Sequence, residues 1–206
     1  LLGYLAIGAF VGFFAGLLGI GGGAVIIPLL AWLFEAQGIP REHLLHLAVG
    51  SSMASILFTS ISSVRAHAAR GAVRWDVAKV MTPGIIVGGL AGSAAAGAFS
   101  TVVLASAFTV IVYVAGTNIL LDRQPKPGRS LPGRVGMSIA GAIISGVSAL
   151  VALGGAFLSV PFMIYCNVSV REAIGTAAFI GFPIALVGSL GYIATGWSAS
   201  SLPPWS

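Results

Sequence analysis

The stretch "LLGIGGGAVIIPLL", residues 17–30, limits the fold more than any other feature of this chain. Four glycines, Gly19, Gly21, Gly22 and Gly23, fall within five positions. Each weakens a helix by about 1 kcal/mol relative to alanine. The stretch lies in the middle of a long apolar segment, residues 3–34. In hydrocarbon, every backbone group left without a partner costs several kcal/mol more, so a helix break survives there only when it is buried in protein or lines a cavity.

Composition identifies hydrocarbon as the solvent. Of 206 residues, 57% are hydrophobic and only 7% charged, where a soluble domain carries about 25% charged residues. Mean hydropathy is +1.03. Apolar runs recur along the whole chain, which excludes a signal peptide on a soluble body. The single cysteine, Cys166, excludes an internal disulfide and says little about compartment. The net charge of +5 does not point to nucleic acid, because most basic residues fall in two loops. That is the pattern of cytoplasmic loops in a multi-pass protein of a bacterial inner membrane.

Runs of about 20 apolar residues span the hydrocarbon core. Four stand out, at about 44–64, 77–98, 100–121 and 174–194. The segments 3–34 and 136–165 are each too long for one simple span, and each carries a glycine cluster, "GIGGG" or "LGGA". "EAQGIPREH" (35–43), "RAHAARGAVRWDVAK" (65–79) and "DRQPKPGRSLPGR" (122–134) separate the pieces. The last is rich in proline, glycine and charge and reads as a cytoplasmic linker between two halves, 1–121 and 135–206.

The halves are related. A shift of 133 residues lays "GAFVGFFAGLLGIGGGAVIIP" (8–28) on "GAIISGVSALVALGGAFLSVP" (141–161), and Gly21, Gly22 and Pro28 meet Gly154, Gly155 and Pro161. A shift of 125 lays "AVGSS" (48–52) on "AIGTA" (173–177) and "HAARG" (67–71) on "YIATG" (192–196). Matches of Leu, Val and Ala carry little weight in apolar sequence; coincident Gly-Gly and Pro carry more. Counterparts of 82–121 are absent, so the second half reads as lacking its last two helices.

The fold expected is therefore an all-α polytopic membrane protein of two repeats. The loop 65–79 carries Arg65, Arg70, Arg74 and Lys79, and the linker carries Arg123, Lys126, Arg129 and Arg134, with spans 77–98 and 100–121 forming a hairpin between them. The counterpart of the first loop, "TGWSASSLPPWS", has no lysine or arginine. That asymmetry favours inverted repeats, which need an odd number of crossings per half. The count works if 3–34 and 136–165 are re-entrant.

Broken segments suggest a task. Half-helix N-termini present free N–H groups and about half a positive charge, which suits an anion. The sequence predicts half-helices over 24–34 and 156–165, preceded by Gly21, Gly22 and Gly23 and by Gly154 and Gly155. Close packing of helices through small residues is the other explanation, and Gly8, Gly12 and Gly16 fit it well. A second paired feature is "GSS" (50–52) and "GTA" (175–177), where Ser51, Ser52 and Thr176 offer hydroxyl donors to an oxyanion. Such hydroxyls also commonly bond a carbonyl of their own helix.

Glu35, Glu42, Asp76, Asp122 and Glu172 all lie in loops or at span ends. The spans thus lack the intramembrane carboxylates of a proton relay. His46 and His67 lie close to span ends and read as interfacial. Ser51 and His67 cannot form a hydrolase dyad, because 16 residues of helix separate them by about 24 Å. No cofactor is implied.

The block "AGLLGIGGGAVIIPLL", its partner "ALGGAFLSVP", and "AVGSS"/"AIGTA" together resemble the TauE/SafE family of sulfite exporters and sulfonate permeases over nearly the whole chain. The resemblance implies transport of small sulfur oxyanions or organosulfonates by about eight membrane segments in two related halves. The second block departs from the first, with Ala152 and Ala156 in place of Gly19 and Gly23. Export of an anion needs no coupling ion when the interior is negative, since each outward charge gains about 2.3 kcal/mol per 100 mV. A passive channel, with unsaturable flux, and a scaffold, with none, are the competing classes. The partners expected are a small anionic substrate and the lipid bilayer.

Overall fold

The computed structural model describes residues 8–10, 23–121, 128, 130–152 and 154–197. The described residues are helical, with no strand among them. The helices are α1 (Gly23–Ala36), α2 (Arg41–Ala69), α3 (Trp75–Ala98), α4 (Thr101–Leu120), α5 (Arg134–Val151), α6 (Ala156–Tyr165) and α7 (Val170–Gly196). Of these, α2, α3, α5 and α7 are long and apolar enough to cross a membrane.

Local chemistry sets the ends. Pro40 precedes α2, which runs past the expected 44–64 at both ends and stops at Gly71 with φ +64°. Polar residues at the ends of α2 do not end the helix; they only leave the hydrocarbon. Ser169 opens α7 as a capping box: its hydroxyl oxygen accepts the Glu172 amide at 3.3 Å and its O–H donates to the Glu172 carboxylate at 2.7 Å. Segment 136–165 divides into α5 and α6 at residues 152–155, and the half-helix covers the predicted 156–165. The first half-helix is described from Gly23 to Ala36 and covers the predicted 24–34.

Contacts at small residues fix the directions of the helices. Gly84, Gly88 and Gly92 of α3 lie on the backbone at Ser138, Ala142 and Gly146 of α5, numbers rising together, so α3 and α5 are parallel. Gly89 meets Val187, Gly191 meets Ser93 and Gly97 meets Thr195, so α3 and α7 are parallel too. Because α5 and α7 share a direction, α6 between them returns the chain to the face it came from. The segment α5–α6 is re-entrant. The Gly128 amide, just before α5, bonds the Tyr165 carbonyl at the end of α6, 3.2 Å away.

α2 and α7, which hold the paired "AVGSS" and "AIGTA" blocks, pack antiparallel. Gly50 sits beside Tyr192 and Gly188 beside Met53. α7 is the central helix, buried along most of its length against α2, α3 and α6. α4 rests on α2 and α5. The expected pairing of 77–98 with 100–121 is thus a topological neighbourhood: the link at Phe99–Ser100 turns α4 away, and the Thr101 hydroxyl donates to the Glu42 carbonyl of α2.

These directions gather Arg65, Arg70, Arg74, Lys79, Arg134 and Arg171 at one face. Among the described basic residues only Arg41 lies at the other, paired with Glu35 at 2.7 Å. Arg123, Lys126 and Arg129 lie outside the described residues.

The glycines seen to pack helices are therefore those of α3, with Gly141 of α5 and Gly191 of α7. A Cβ on Gly92 would stand 2.5 Å from the Gly146 carbonyl oxygen, and one on Gly88 would overlap the backbone of Ala142. Gly8 has nothing within 4 Å of where its Cβ would be, and Gly12 and Gly16 lie outside the described residues. The Gly88→Leu variant is expected to lose more than about 3 kcal/mol, the upper range for overpacking, and with it a monodisperse peak in detergent. Gly116→Ala, which meets nothing within 4 Å, is expected to keep both yield and thermal midpoint. A well-folded Gly88→Leu protein would show that α3 and α5 can separate.

Candidate functional site

The break between α5 and α6 is built from left-handed backbone. Ala152, Gly154 and Gly155 have φ of +46°, +69° and +73°. Glycine takes this conformation freely, whereas an L side chain is strained by roughly 1–2 kcal/mol. Ala152 therefore holds a conformation that suits the glycine of the first block, Gly19, at the equivalent position.

The break lies at mid-depth. A Cβ on Gly154 would touch Ile56, in the middle of α2. One on Gly155 would stand 2.5 Å from Ile184 Cδ1, and Gly181 lies on the Gly154 carbonyl, both in the middle of α7. With ten residues, α6 rises about 15 Å, half the thickness of the hydrocarbon core. Its N-terminus is thus held at the centre of the protein, where the macrodipole is least screened. The turn satisfies part of itself: the Ala156 amide bonds the Gly154 carbonyl at 2.9 Å, and the Ser159 amide bonds the Gly155 carbonyl at 2.9 Å.

Hydroxyls on these helices divide into two kinds. Ser60, Thr82, Ser93 and Thr195 donate to carbonyls three or four residues back in their own helices. Ser52, Ser145, Ser148, Ser159 and Ser189 are buried, yet their oxygens have no hydrogen-bond partner among the described residues. A buried hydroxyl left unbonded costs on the order of 1–3 kcal/mol. The five sit on α2, α5, α6 and α7, the helices that meet at the break. Ser52 and Ser189 share a level in the antiparallel seam of α2 and α7, set by the Gly50–Tyr192 and Met53–Gly188 contacts on either side. Ser159 lies in the first turns of α6, with its Cβ tilted toward that N-terminus as in any helix.

The sequence-derived residues are distributed as follows. Gly154 and Gly155 form the break, and Ser52 is fully buried beside α7. Gly23 is the buried first residue of α1; Gly21 and Gly22 lie outside the described residues. Ser51 is exposed. Thr176 is fully buried, and its Oγ1 accepts the Arg74 amide at 2.9 Å. That bond ties α7 to a loop 102 residues earlier, so it differs from both an open anion donor and a bond within the helix. Ser145, Ser148, Ser159 and Ser189 went unmarked in the sequence because serine in an apolar run normally bonds its own helix. For Ser148 and Ser159 the one signal was "VSALVALGGAFLSV", with a serine on each side of the glycine pair; Ser145 and Ser189 had none.

His46 places Nε2 within 3.1 Å of the Ala96 carbonyl and 3.2 Å of the Phe99 carbonyl, at the C-terminus of α3. No grouping of His, Cys, Asp and Glu among the described residues could hold a metal.

Replacing Thr176 with valine keeps the shape and removes the acceptor. Thr176→Val is expected to lower stability by about 1–3 kcal/mol, the cost of a stranded buried donor, read as thermal unfolding in detergent. Thr176→Ser should behave as the parent, and Ser51→Ala should stay within about 0.5 kcal/mol. Equal stability of the Val and Ser variants would show that the Arg74 amide does not depend on this hydroxyl.

Comparison with known proteins adds the following. The family described as "Sulfite exporter TauE/SafE" matches residues 4–204. A "Probable membrane transporter protein" of Haemophilus influenzae is 30% identical over 203 residues, covering 98% of this chain and 77% of the relative. The "Probable membrane transporter protein YdhB" of Bacillus subtilis is 29% identical, covering 90% of this chain and 76% of the relative. A "Probable membrane transporter protein" of Xylella fastidiosa is 28% identical, covering 97% and 74%. No solved structure gives a significant match.

Proposed function

The chain belongs to the sulfite exporter TauE/SafE family, and from that premise we propose that it moves small sulfur-containing anions, such as sulfite, thiosulfate or an organosulfonate, out of the cell across the inner membrane. Membership and the membrane-spanning helices make it a multi-pass membrane transporter. The choice of anion and the direction are our reading.

The observation that carries the reading is the α5–α6 break at mid-depth, ringed by helices that hold five buried hydroxyls without a partner among the described residues. The N-terminus of α6 supplies amide dipoles, and Ser159, Ser52 and Ser189 supply neutral O–H donors. Neutral donors attract an oxyanion without the deep trap that a buried arginine would make, so the ion can also leave. Gly154 and Gly155 let it approach the backbone. Gly21, Gly22 and Gly23 take the same role in the first half, ahead of α1. Thr176 and Ser51 belong to the frame around the site.

The antiparallel packing of α2 and α7 supports the inverted relation of the halves. The basic face is assigned to the cytoplasm by its excess of arginine and lysine. With a negative interior, outward passage of one negative charge is favourable by about 2.3 kcal/mol per 100 mV. That drive suffices without a coupling ion.

Reconstituted protein tested with a panel of anions decides the substrate. Saturable sulfite flux is expected; unsaturable flux would mark a channel. In that assay Ser159→Ala and Ser52→Ala should each raise KM by about 10- to 150-fold, the worth of one hydrogen bond to a charged group. Gly155→Leu and Gly22→Leu should abolish flux in folded protein. Normal transport by both glycine variants would remove the anion site from the breaks.

Orientation has its own test. In a Cys166→Ser background, Ala68→Cys and Ser130→Cys should label from the cytoplasmic side and Ser100→Cys from the opposite side. Labelling of all three from one side would contradict the topology.

A further inference from the structure

Charged residues stop short of the level of the α5–α6 break on every helix around it. Residues 1–34, 43–64, 80–121, 135–170 and 173–206 contain no Asp, Glu, Lys or Arg. Ile56, against Gly154, is nine residues from Arg65 and fifteen from Arg41, about 14 and 22 Å along α2. His46 and His67 are ten and eleven residues from Ile56, about 15 and 16 Å away on the same helix. Ile184, against Gly155, is thirteen residues from Arg171, about 20 Å along α7. Arg134 stands at the end of α5 remote from the break, and α6 carries no charge. Lys79 comes nearest in depth. The Gly89–Val187 contact sets Ile184 level with Ile86, and Lys79 lies about 10 Å from that level toward the basic face, where it is exposed.

The groups at the break itself are uncharged dipoles. Ser52, Ser159 and Ser189 carry hydroxyls without a partner among the described residues, and the N-terminus of α6 supplies about half a positive charge. A like contribution from the first glycine block brings the sum to about one. Two electrostatic effects then compete. The cost of taking an ion out of water grows as the square of its charge, whereas its attraction to fixed dipoles grows only in proportion. A singly charged oxyanion is matched by these dipoles. A dianion doubles the attraction, quadruples the cost and leaves a charge that the site does not balance. Salt gives little relief, because buried charges are screened far less than exposed ones.

We propose that the break admits singly charged oxyanions and refuses dianions of similar size. The transported form of sulfite is then hydrogensulfite, a small sulfonate is accepted, and thiosulfate and sulfate are excluded. This rests on the anion-site reading and narrows its substrate.

The test uses the unaltered protein in liposomes, with equal pH on the two sides and substrate below saturation. Flux into protein-free liposomes is subtracted, because neutral sulfur dioxide crosses lipid unaided. Methanesulfonate carries a single charge at every working pH, thiosulfate and sulfate carry two, and all three are small tetrahedral ions, so size does not separate them. Methanesulfonate flux is expected to exceed thiosulfate and sulfate flux by about 100-fold or more. Hydrogensulfite loses its proton near neutral pH. At fixed total sulfite, flux should therefore fall about tenfold per pH unit on the alkaline side of that ionisation, while methanesulfonate flux stays level. An equally steep fall for both anions would mark titration of the protein and overturn the assignment of hydrogensulfite. Thiosulfate or sulfate flux equal to that of methanesulfonate, or sulfite flux that holds into alkaline pH, overturns selection by charge and leaves the anion site standing. Absence of flux for every one of these ions overturns the transporter reading, and this inference with it.

Discussion

The fold depends on one constraint: backbone that leaves a helix inside a bilayer must be enclosed by protein. Between α5 and α6 the chain reverses, with Ala152, Gly154 and Gly155 in left-handed backbone. Ile56, Ile180 and Ile184 seal the turn from lipid, and Gly181 lets α7 come up against the Gly154 carbonyl. For this, α7 must be central and α2 must lie along it. The other helices then find their places around that pair.

Apolar burial cannot assemble such a core, because lipid tails are as apolar as leucine. Close packing and polar contacts between helices take over. The glycines of α3 bring its backbone onto that of α5, and Gly191 receives the Ser93 side chain. The Tyr192 hydroxyl donates to the Ala149 carbonyl at 3.0 Å, near the end of α5, bonding the central helix to the arm that carries the break. The same close backbone contact recurs where the loop before α3 meets α7, with Gly175 against the Ala72 carbonyl and Thr176 bonded to the Arg74 amide.

The helices around the α5–α6 break present uncharged serine hydroxyls and helix amides in the interior, and the described basic residues, Arg41 apart, gather at one surface. Ala152 shows the limit of symmetry between the halves. It takes a strained conformation where the first block has Gly19, so the sequence repeat is not exact at this position.

Sequence alone determined the solvent, the approximate limits of three of the four helices long and apolar enough to cross a membrane (α2, α3 and α7), and the break between α5 and α6; the fourth, α5, it read as one arm of a broken segment. These are local properties: hydropathy over about twenty residues, and glycine's backbone freedom, are readable without neighbours. It also marked Gly154, Gly155 and Ser52, since Gly-Gly pairs and duplicated "GSS"/"GTA" blocks stand out against apolar sequence. Tertiary structure alone decided the rest. Ser51 and Ser52 are adjacent and chemically identical, and only the α2–α7 seam makes one exposed and the other buried. Thr176 reads as a free donor until a loop 102 residues earlier brings the Arg74 amide to it. Ser145, Ser148, Ser159 and Ser189 look like ordinary serines of apolar helices until the fold encloses their oxygens without partners. A hydroxyl's role is set by what lies within about 3 Å of it. In a bundle of antiparallel and parallel helices, those neighbours come from distant parts of the chain.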